Sequence, residues 1–409
     1  MRTNTVLGIL TRLKIQHVVV RDFVLDEAGR SLVLHVEPTT RTLYCADCGC
    51  RVRTGYDGRE RTWRHTDLGE FVVQLRYRIE RVNCPRCGPT TQMVPWAAHA
   101  SWFTYDFEDL VAYFAQTTDR TRVATEMRIA WPTVGNVVRR VMERIGPTDR
   151  LAGLKRIGVD ELSYRKHHEY VTVVVDHDTQ RVVWAAEGKS AATLGKFFEE
   201  LGTFRCAELT VVTVDMSPAF TSAIREHAPN AEIVYDRFHV QRLVHDALDA
   251  VRRTLVREIK GTPEAKDLKG TRFSLQRNEW NLMPADNEKL ATVMATNAPL
   301  YRAYLLKATL VDALNGTLPS VARTFLMAWC AWAARSRLAP FVTAGKTIAA
   351  HIDGIIAYVR TGLSNGRVEG LNGKIRVITR RSFGLHSASS LISMIFLCCS
   401  GITLARRHA

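Results

Sequence analysis

No part of the chain supplies the roughly 20 consecutive apolar residues that a membrane-spanning helix needs. The longest apolar run, Leu391 to Ala405, is broken by Ser393, Ser400, Gly401 and Thr403, and reads as a buried helix. A secretory signal is missing too: Leu7 to Leu10 is soon followed by Arg12 and Lys14, with no small-residue cleavage site, so a cytoplasmic protein is expected. Acidic residues are in short supply, 41 against 56 Lys plus Arg, which leaves a net charge of +15 and a pI near 9.6. That balance favours a polyanionic partner, either nucleic acid or an anionic membrane. Nine cysteines argue against a disulfide framework and for metal binding wherever they pair closely. Cys206, Cys330, Cys398 and Cys399 have apolar neighbours and read as core residues. No tandem repeat is visible. What the chain does have is length and apolar content: 409 residues, 46% hydrophobic, suit roughly two to four domains with sizeable cores.

Residues 1–40 alternate as strands do, with Ile15 to Leu25 and Ser31 to Val36 flanking Asp26, Glu27 and Gly29, so a β-hairpin platform is expected. Residues 41–98 are rich in arginine, with cysteine pairs at both ends and strand-like stretches such as Phe71 to Ile79 between them. They read as a metal-stapled β module. Over residues 99–150 the period turns helical: Leu110, Val111 and Phe114, then Val123 and Met127, then Val134, Val137, Val138 and Val141. Three short helices fit, the third opening at Trp131 and Pro132 and carrying Arg139, Arg140 and Arg144. In a basic protein this favours a helix-turn-helix that reads DNA over a helical linker with a solvated basic face.

Residues 151–240 hold apolar strands that run into acids: Ile157 to Val159 into Asp160, Tyr170 to Val175 into Asp176, Arg181 to Ala186 into Glu187, and Leu209 to Val214 into Asp215. With helices at Ala191 to Leu201 and Ala219 to His227 and a strand at Ile233 to Tyr235, they describe a mixed α/β sheet. Residues 241–360 are helical in pattern, with a break near Gly261 to Gly270, and look like an inserted all-α domain. Residues 361–409 open with a basic stretch, Ser364 to Gly384, that contains Glu369. The sheet's missing acidic partner is sought there.

Phosphoryl transfer on DNA uses two divalent cations, and hard cations prefer carboxylate oxygens. Asp160 and Asp215, each read as ending a buried strand, would converge at one sheet edge. A single aspartate at a strand end is more often a turn former or a cap. Ser217, just after Asp215, is expected to cap the helix that Pro218 opens. Glu369 falls on a helical pattern with Asn372, Gly373 and Arg376 near one face; Gly370 and Gly373 weaken that helix by about 1 kcal/mol each, which suits close approach to DNA or metal better than a plain surface helix.

Gly158-Val159-Asp160-Glu161, Val214-Asp215-Met216-Ser217, Asp236-Arg237-Phe238-His239, Ser364-Asn365-Gly366 and Glu369-Gly370-Leu371-Asn372, with the early cysteine pairs, resemble the ISL3 family of DDE transposases almost end to end. The resemblance implies that Asp160, Asp215 and Glu369 form a catalytic triad on an RNase H-like sheet interrupted by the helical insertion. The 54 residues between the first two acids hold two strands and a helix, and the 153 between the second and third hold the insertion. It also implies two magnesium ions, double-stranded DNA as element ends and target, a homodimer in the synaptic complex, no membrane partner, and a place at the nucleoid. His239 is either structural or stands beside the scissile phosphate.

Cys45-Ala-Asp-Cys48 and Cys84-Pro-Arg-Cys87 are two knuckles whose four thiolates suit one tetrahedral structural zinc. The 35 residues between them require an elaborated ribbon, Cys50 is a possible substitute ligand, and a redox pair is the competing account. Arg51, Arg53, Arg59, Arg61 and Arg64, interleaved with Tyr56 and Trp63, form either a phosphate-binding patch or a solvated face. Lys374, Arg376, Arg380 and Arg381 are expected to track a DNA backbone. Two other functions share these features: a nuclease of the same fold that cleaves without joining, and a DNA-binding regulator without activity.

Overall fold

The computed structural model describes residue 15 and residues 17–146, 149–165, 169–266, 268–315, 318–381 and 387–404; for Arg165, Pro263, Glu264, Arg367 and Glu369 it describes the main chain alone. Leu7 to Leu10, Gly384 and Ala405 therefore lie outside the described residues. The chain divides into two compact units, residues 1–146 with 381–384 and 401–409, and residues 147–380 with 385–400.

In the amino-terminal unit, β1 (Val18–Asp26) and β2 (Ser31–Pro38) form the expected hairpin. Leu32, Leu34 and Val36 alternate inward from β2, as a half-buried strand requires. β3 (Leu43–Tyr44) and β4 (Arg51–Val52) make a small ladder around the first knuckle, followed by β5 (Gly55–Arg64), β6 (Val72–Cys84) and β7 (Gly88–Thr91). The strand expected at Phe71 to Ile79 thus runs on to Cys84. Because β2 pairs in parallel with β6, the hairpin and the cysteine-bearing strands share one sheet, ordered β1-β2-β6-β5 with β7 on β6. Trp63 belongs to its core with no exposed surface, edge-on to Trp96 at 5.6 Å; an interleaved position among surface cations was expected, but a bulky indole on the covered face of β5 gains more from burial.

Among the described residues, three helices complete this unit: α1 (Tyr105–Thr117), α2 (Arg120–Glu126) and α3 (Trp131–Ile145). Thr104 and Asp119 cap the first two through their side chains, and Pro132 occupies the first turn of the third. Val134, Val137, Val138 and Val141 line the buried face of α3.

The second unit is built on a mixed sheet of β8 (Arg156–Arg165), β9 (Glu169–Asp176), β10 (Arg181–Glu187), β11 (Val211–Val214) and β12 (Glu232–Tyr235), ordered β10-β9-β8-β11-β12. The first two pairings are antiparallel, and β8-β11 and β11-β12 are parallel. The parallel returns need crossovers: α4 (Ala191–Leu201) and α5 (Thr203–Ala207) precede β11, and α6 (Pro218–His227) precedes β12. Alternation along β8 divides its residues between two cores. Ile157 and Val159 join one with Leu194, Phe197 and Phe220, while Leu162 joins Val171, Val173 and Val175 in the other.

After β12 the chain is helical: α7 (Arg237–Glu258), α8 (Arg272–Gln276), α9 (Pro284–Thr296), α10 (Ala298–Leu314), α11 (Pro319–Arg335), α12 (Ala339–Ala350) and α13 (Ile352–Thr361). α7 packs against α10 and α12, and α13 returns onto β12. α14 (Gly366–Arg381) and α15 (Ala388–Cys399) then cover the second face of the sheet through Val368, Ile375, Ile378, Leu391 and Ile395. Among the described residues no helix is long and apolar enough to cross a membrane.

Candidate active site and metal centre

Strand pairing brings three carboxylates to one edge of the second unit's sheet. β8 and β11 pair in parallel from Val211↔Arg156 to Thr213↔Gly158, and β11 stops at Val214. Asp215 is the first residue off its strand, and Asp160 follows Gly158 by one full alternation on the same face of β8. β12 ends level with β11, at Val214↔Tyr235, which sets Asp236 at this edge as well. Asp160 was expected to end its strand but is the fifth residue of a ten-residue one, because β9 keeps pairing with β8 as far as Arg165↔Glu169. What ends before Asp160 is the β11 side of β8, whose last pair is Thr213↔Gly158.

The electrostatics of this edge are those of crowded, poorly hydrated acids. Burial pushes the Asp160 carboxyl up from the ordinary 3.8 to about 6, against the opposing effects of the Glu161 N–H, which it accepts at 2.7 Å, and of His239; nearby Asp215 pushes in the same direction as burial. Asp215 is raised by burial as well, and the charge of His239 opposes that shift. His239 is itself raised, first by its hydrogen bond to Asp236 (Nδ1 to Oδ2, 3.2 Å) and then by the charges of Asp236, Asp160 and Asp215. Ser217 occupies the cap position of α6 but makes no side-chain cap bond, contrary to expectation; its own N–H goes to Asp215 Oδ1 at 3.1 Å, which orients that carboxylate.

Two buried amides tie α14 to this edge: Asn365, just before the helix, and Asn372 within it. Asn365 donates from Nδ2 to the Val159 carbonyl at 3.2 Å, accepts from the Thr213 hydroxyl, and donates its main-chain N–H to Asp236 Oδ1 at 3.3 Å. It therefore ties the start of α14 to all three parallel strands. Gly158 lets the helix close in, since a Cβ there would meet Val368 Cγ2 at 2.6 Å. Further along α14, Asn372 donates to Asp160 Oδ2. Glu369 stands one helical turn before Asn372; its side chain lies outside the described residues. Among the described residues, Gly370 and Gly373 have no neighbour that a Cβ would touch, so the packing seen there does not account for them. Asp236, Asn365 and Asn372 were not singled out as site residues from the sequence. Asp236 had a readable signal, an acid directly after a parallel strand, whereas the two asparagines act on partners far away in the chain.

The cysteines form a second centre. The Sγ atoms of Cys45, Cys48, Cys84 and Cys87 all lie within 4.8 Å of one another, and Cys48 and Cys84 are 3.5 Å apart. Four sulfurs at about 2.3 Å from a tetrahedral ion would have similar spacing, so this set fits a structural zinc. The Arg86 N–H points at Cys84 Sγ at 3.4 Å, and hydrogen bonds from Arg86 and Cys87 bring that thiol down to about 7, which favours the thiolate that binds metal. Cys50 stays outside the set and packs with Val52 and Val82. Among the described residues these cysteines alone form a group of ligands this tight; the acids are spread more widely.

The basic residues fall into two groups. Arg51, Arg53, Arg59, Arg376 and Arg380 are exposed. The others have partners within the protein, although Lys374, like Arg139, is exposed as well. Arg61 donates to the His99 and Ser101 carbonyls and lies over Trp63 and Trp102, and Arg64 pairs with Asp67 and covers Phe107. Arg140 and Arg144 turn inward to Glu108 and Asp109, and Arg139 pairs with Glu143 on its own helix while remaining exposed. Lys374 donates to the Cys398 carbonyl, and Arg381 to those of Ala115 and Gln116.

Residues 157–395 match a family described as transposase, of the DDE type and the ISL3 group. Residues 42–87 match the zinc-finger of transposase IS204/IS1001/IS1096/IS1165. The chain is 39% identical to the transposase for insertion sequence element IS1557 of Mycobacterium tuberculosis, over 99% of this chain and 97% of that one. It is 29% identical to the transposase for insertion sequence element IS1001 of Bordetella parapertussis, over 88% and 89%. The catalytic-family match spans more than half of the sequence and the mycobacterial relative aligns end to end, so this chain belongs to the ISL3 family of DDE transposases.

Proposed function

We propose that this protein binds the terminal inverted repeats of an insertion sequence and cuts and joins DNA strands by metal-dependent nucleotidyl transfer. The observation that carries this reading is the sheet edge where Asp160, inside β8, and Asp215, just past the end of the parallel neighbour β11, come together while α14, bearing Glu369, is tied to Asp160 through Asn372. The order β10-β9-β8-β11-β12, antiparallel and then parallel, is that of an RNase H-like sheet, and the helices of residues 241–360 fall between the second and third acids. The donor set is carboxylate oxygen in a setting that penalises negative charge, which suits hard divalent cations. Two magnesium ions held by Asp160, Asp215 and Glu369 would supply activation of the attacking oxygen and stabilisation of the leaving one. His239, with Nδ1 held by Asp236, keeps Nε2 for the phosphate.

In the division that goes with this reading, residues 1–40 are the hairpin platform, 41–98 the zinc module, 99–150 a helix-turn-helix, and 151–240 with 361–409 the catalytic core. Arg51, Arg53, Arg59, Arg139, Arg376 and Arg380 are the cations best placed for phosphates, while Arg61, Arg64, Arg140, Lys374 and Arg381 serve the frame. Two ends must be held together, so a homodimer acts on DNA at the nucleoid. The test is a strand-transfer assay with pre-cleaved ends and magnesium. Joined product is expected, and Asp215→Asn should abolish it with end binding intact. Cleavage alone would indicate a nuclease, and retardation alone a regulator.

A further inference from the structure

Asn372 lies three residues beyond Glu369 on α14, a rise of about 4.5 Å along the helix, and is only 2% exposed. Its Nδ2 donates to Asp160 Oδ2, while the other oxygen of Asp160 takes the Glu161 N–H at 2.7 Å. Both oxygens of Asp160 are thereby oriented. The amide has a second end: Asn372 Oδ1 is buried and has no hydrogen-bond partner among the described residues. Buried amide oxygens are nearly always satisfied, so an orphan of this kind calls for an explanation. Exchanging oxygen and nitrogen would set an acceptor against a carboxylate, so the orientation follows from the chemistry. Oδ1 shares its carbon with the nitrogen that touches Asp160, which places an uncommitted neutral oxygen beside the acids.

We propose that Asn372 completes the divalent-cation site: Nδ2 holds Asp160, and Oδ1 contributes an oxygen to the cation. Hard cations accept amide carbonyl oxygens alongside carboxylates, and a neutral ligand adds no repulsion to a cluster that already penalises charge. A packing role would account for the burial of this residue and for one end of its amide, but not for the other. The inference rests on the nucleotidyl-transfer reading above.

The test uses the full-length protein with Mn²⁺ as the probe, its binding followed by electron paramagnetic resonance without DNA, together with cleavage kinetics on an end duplex. Asn372→Ala removes both functions of the amide and should weaken Mn²⁺ binding by ~10-fold or more, the scale seen when groups that orient metal ligands are lost. Asn372→Asp keeps the shape and an oxygen but removes the donor. It should bind Mn²⁺ at least as tightly as the parent protein yet turn over ~10-fold more slowly or worse, with KM for the end duplex unchanged in both variants. Parent-like Mn²⁺ affinity in Asn372→Ala, equal weakening in both variants, or loss of the fold in both would each overturn the proposal. If Asp215→Asn retains full cleavage, the transfer reading itself fails, a result separate from anything seen at Asn372.

Discussion

The cysteine centre and the carboxylate edge each gather residues from distant sequence, but they do so on opposite terms. Each cysteine knuckle is a local turn, and the four sulfurs draw within 4.8 Å of one another, with a main-chain N–H helping one thiol toward its anion. The acids come singly, from within β8, from just past β11 and from a helix that returns after a long excursion, and burial and neighbouring carboxylates push Asp160 and Asp215 up. A set of ligands that encloses its ion is suited to holding a fold together; acids left short of positive charge are suited to one that arrives with the reaction. On the reading proposed above, one site holds its ion as part of the fold and the other receives its ions with the reaction.

The contrast can be broken most severely at the cysteines. Removing zinc with a chelator, or replacing Cys84 by Ser, should unfold the amino-terminal sheet and release about one zinc per chain, since structural zinc contributes on the order of 10 kcal/mol. Metal analysis with circular dichroism would show it, and a Cys84→Ser variant that keeps both metal and fold would remove the distinction. At the acids the opposite should happen. The folded-state value of Asp160, about 6, lies above the ordinary 3.8. Its contribution to stability is therefore complete below about pH 3.8 and is lost as pH rises through about 6. Asp160→Asn should make the metal-free protein more stable at pH 7, by up to about 3 kcal/mol at roughly 1.4 kcal/mol per unit, while joining falls roughly 10⁴-fold or more. Thermal midpoints from pH 4 to 7, with and without magnesium, check this, and a destabilised variant at pH 7 would contradict the account of Asp160. The mildest perturbation is Gly158→Ala, whose new Cβ would press on Val368, His177 and Thr213. A loss of about 1–3 kcal/mol is expected in denaturant unfolding, with weaker joining as α14 is displaced. Parent-like behaviour would mean that α14 can shift without disturbing the acids.

How much of this was readable beforehand follows the range of the interactions. The knuckles, the hairpin, the helices at Ala191–Leu201 and Trp131–Ile145, and the acids after β11 and within β8 are encoded by neighbours a few residues apart. The continuation of β8 past Asp160 depends on β9, a partner that single-strand periodicity does not report. Trp63 looked like a surface aromatic because arginines surround it in sequence, whereas burial is decided by the face of the sheet. Arg61, Arg64 and Arg140 looked like candidates for phosphate until their carbonyl and carboxylate partners appeared on other elements. The contacts of Asn365 and Asn372 with Val159 and Asp160 span 206 and 212 residues, beyond any local pattern.

Asp236 and Asn365 are 129 positions apart in the chain, yet they meet in one hydrogen bond of 3.3 Å. Among the described residues, seven helices lie between the two, and Leu306, Leu326, Phe341 and Ile355 from them share one core with Ile157, Val159 and Phe220 of the sheet and its crossovers. Closing a loop costs little more when the loop grows, about 0.6 kcal/mol for each doubling of its length. Longer loops between these helices should therefore cost descendants of this protein little, whereas the helix faces packed on the sheet, such as that of Ile355, have to keep their shape for the acids to stay aimed.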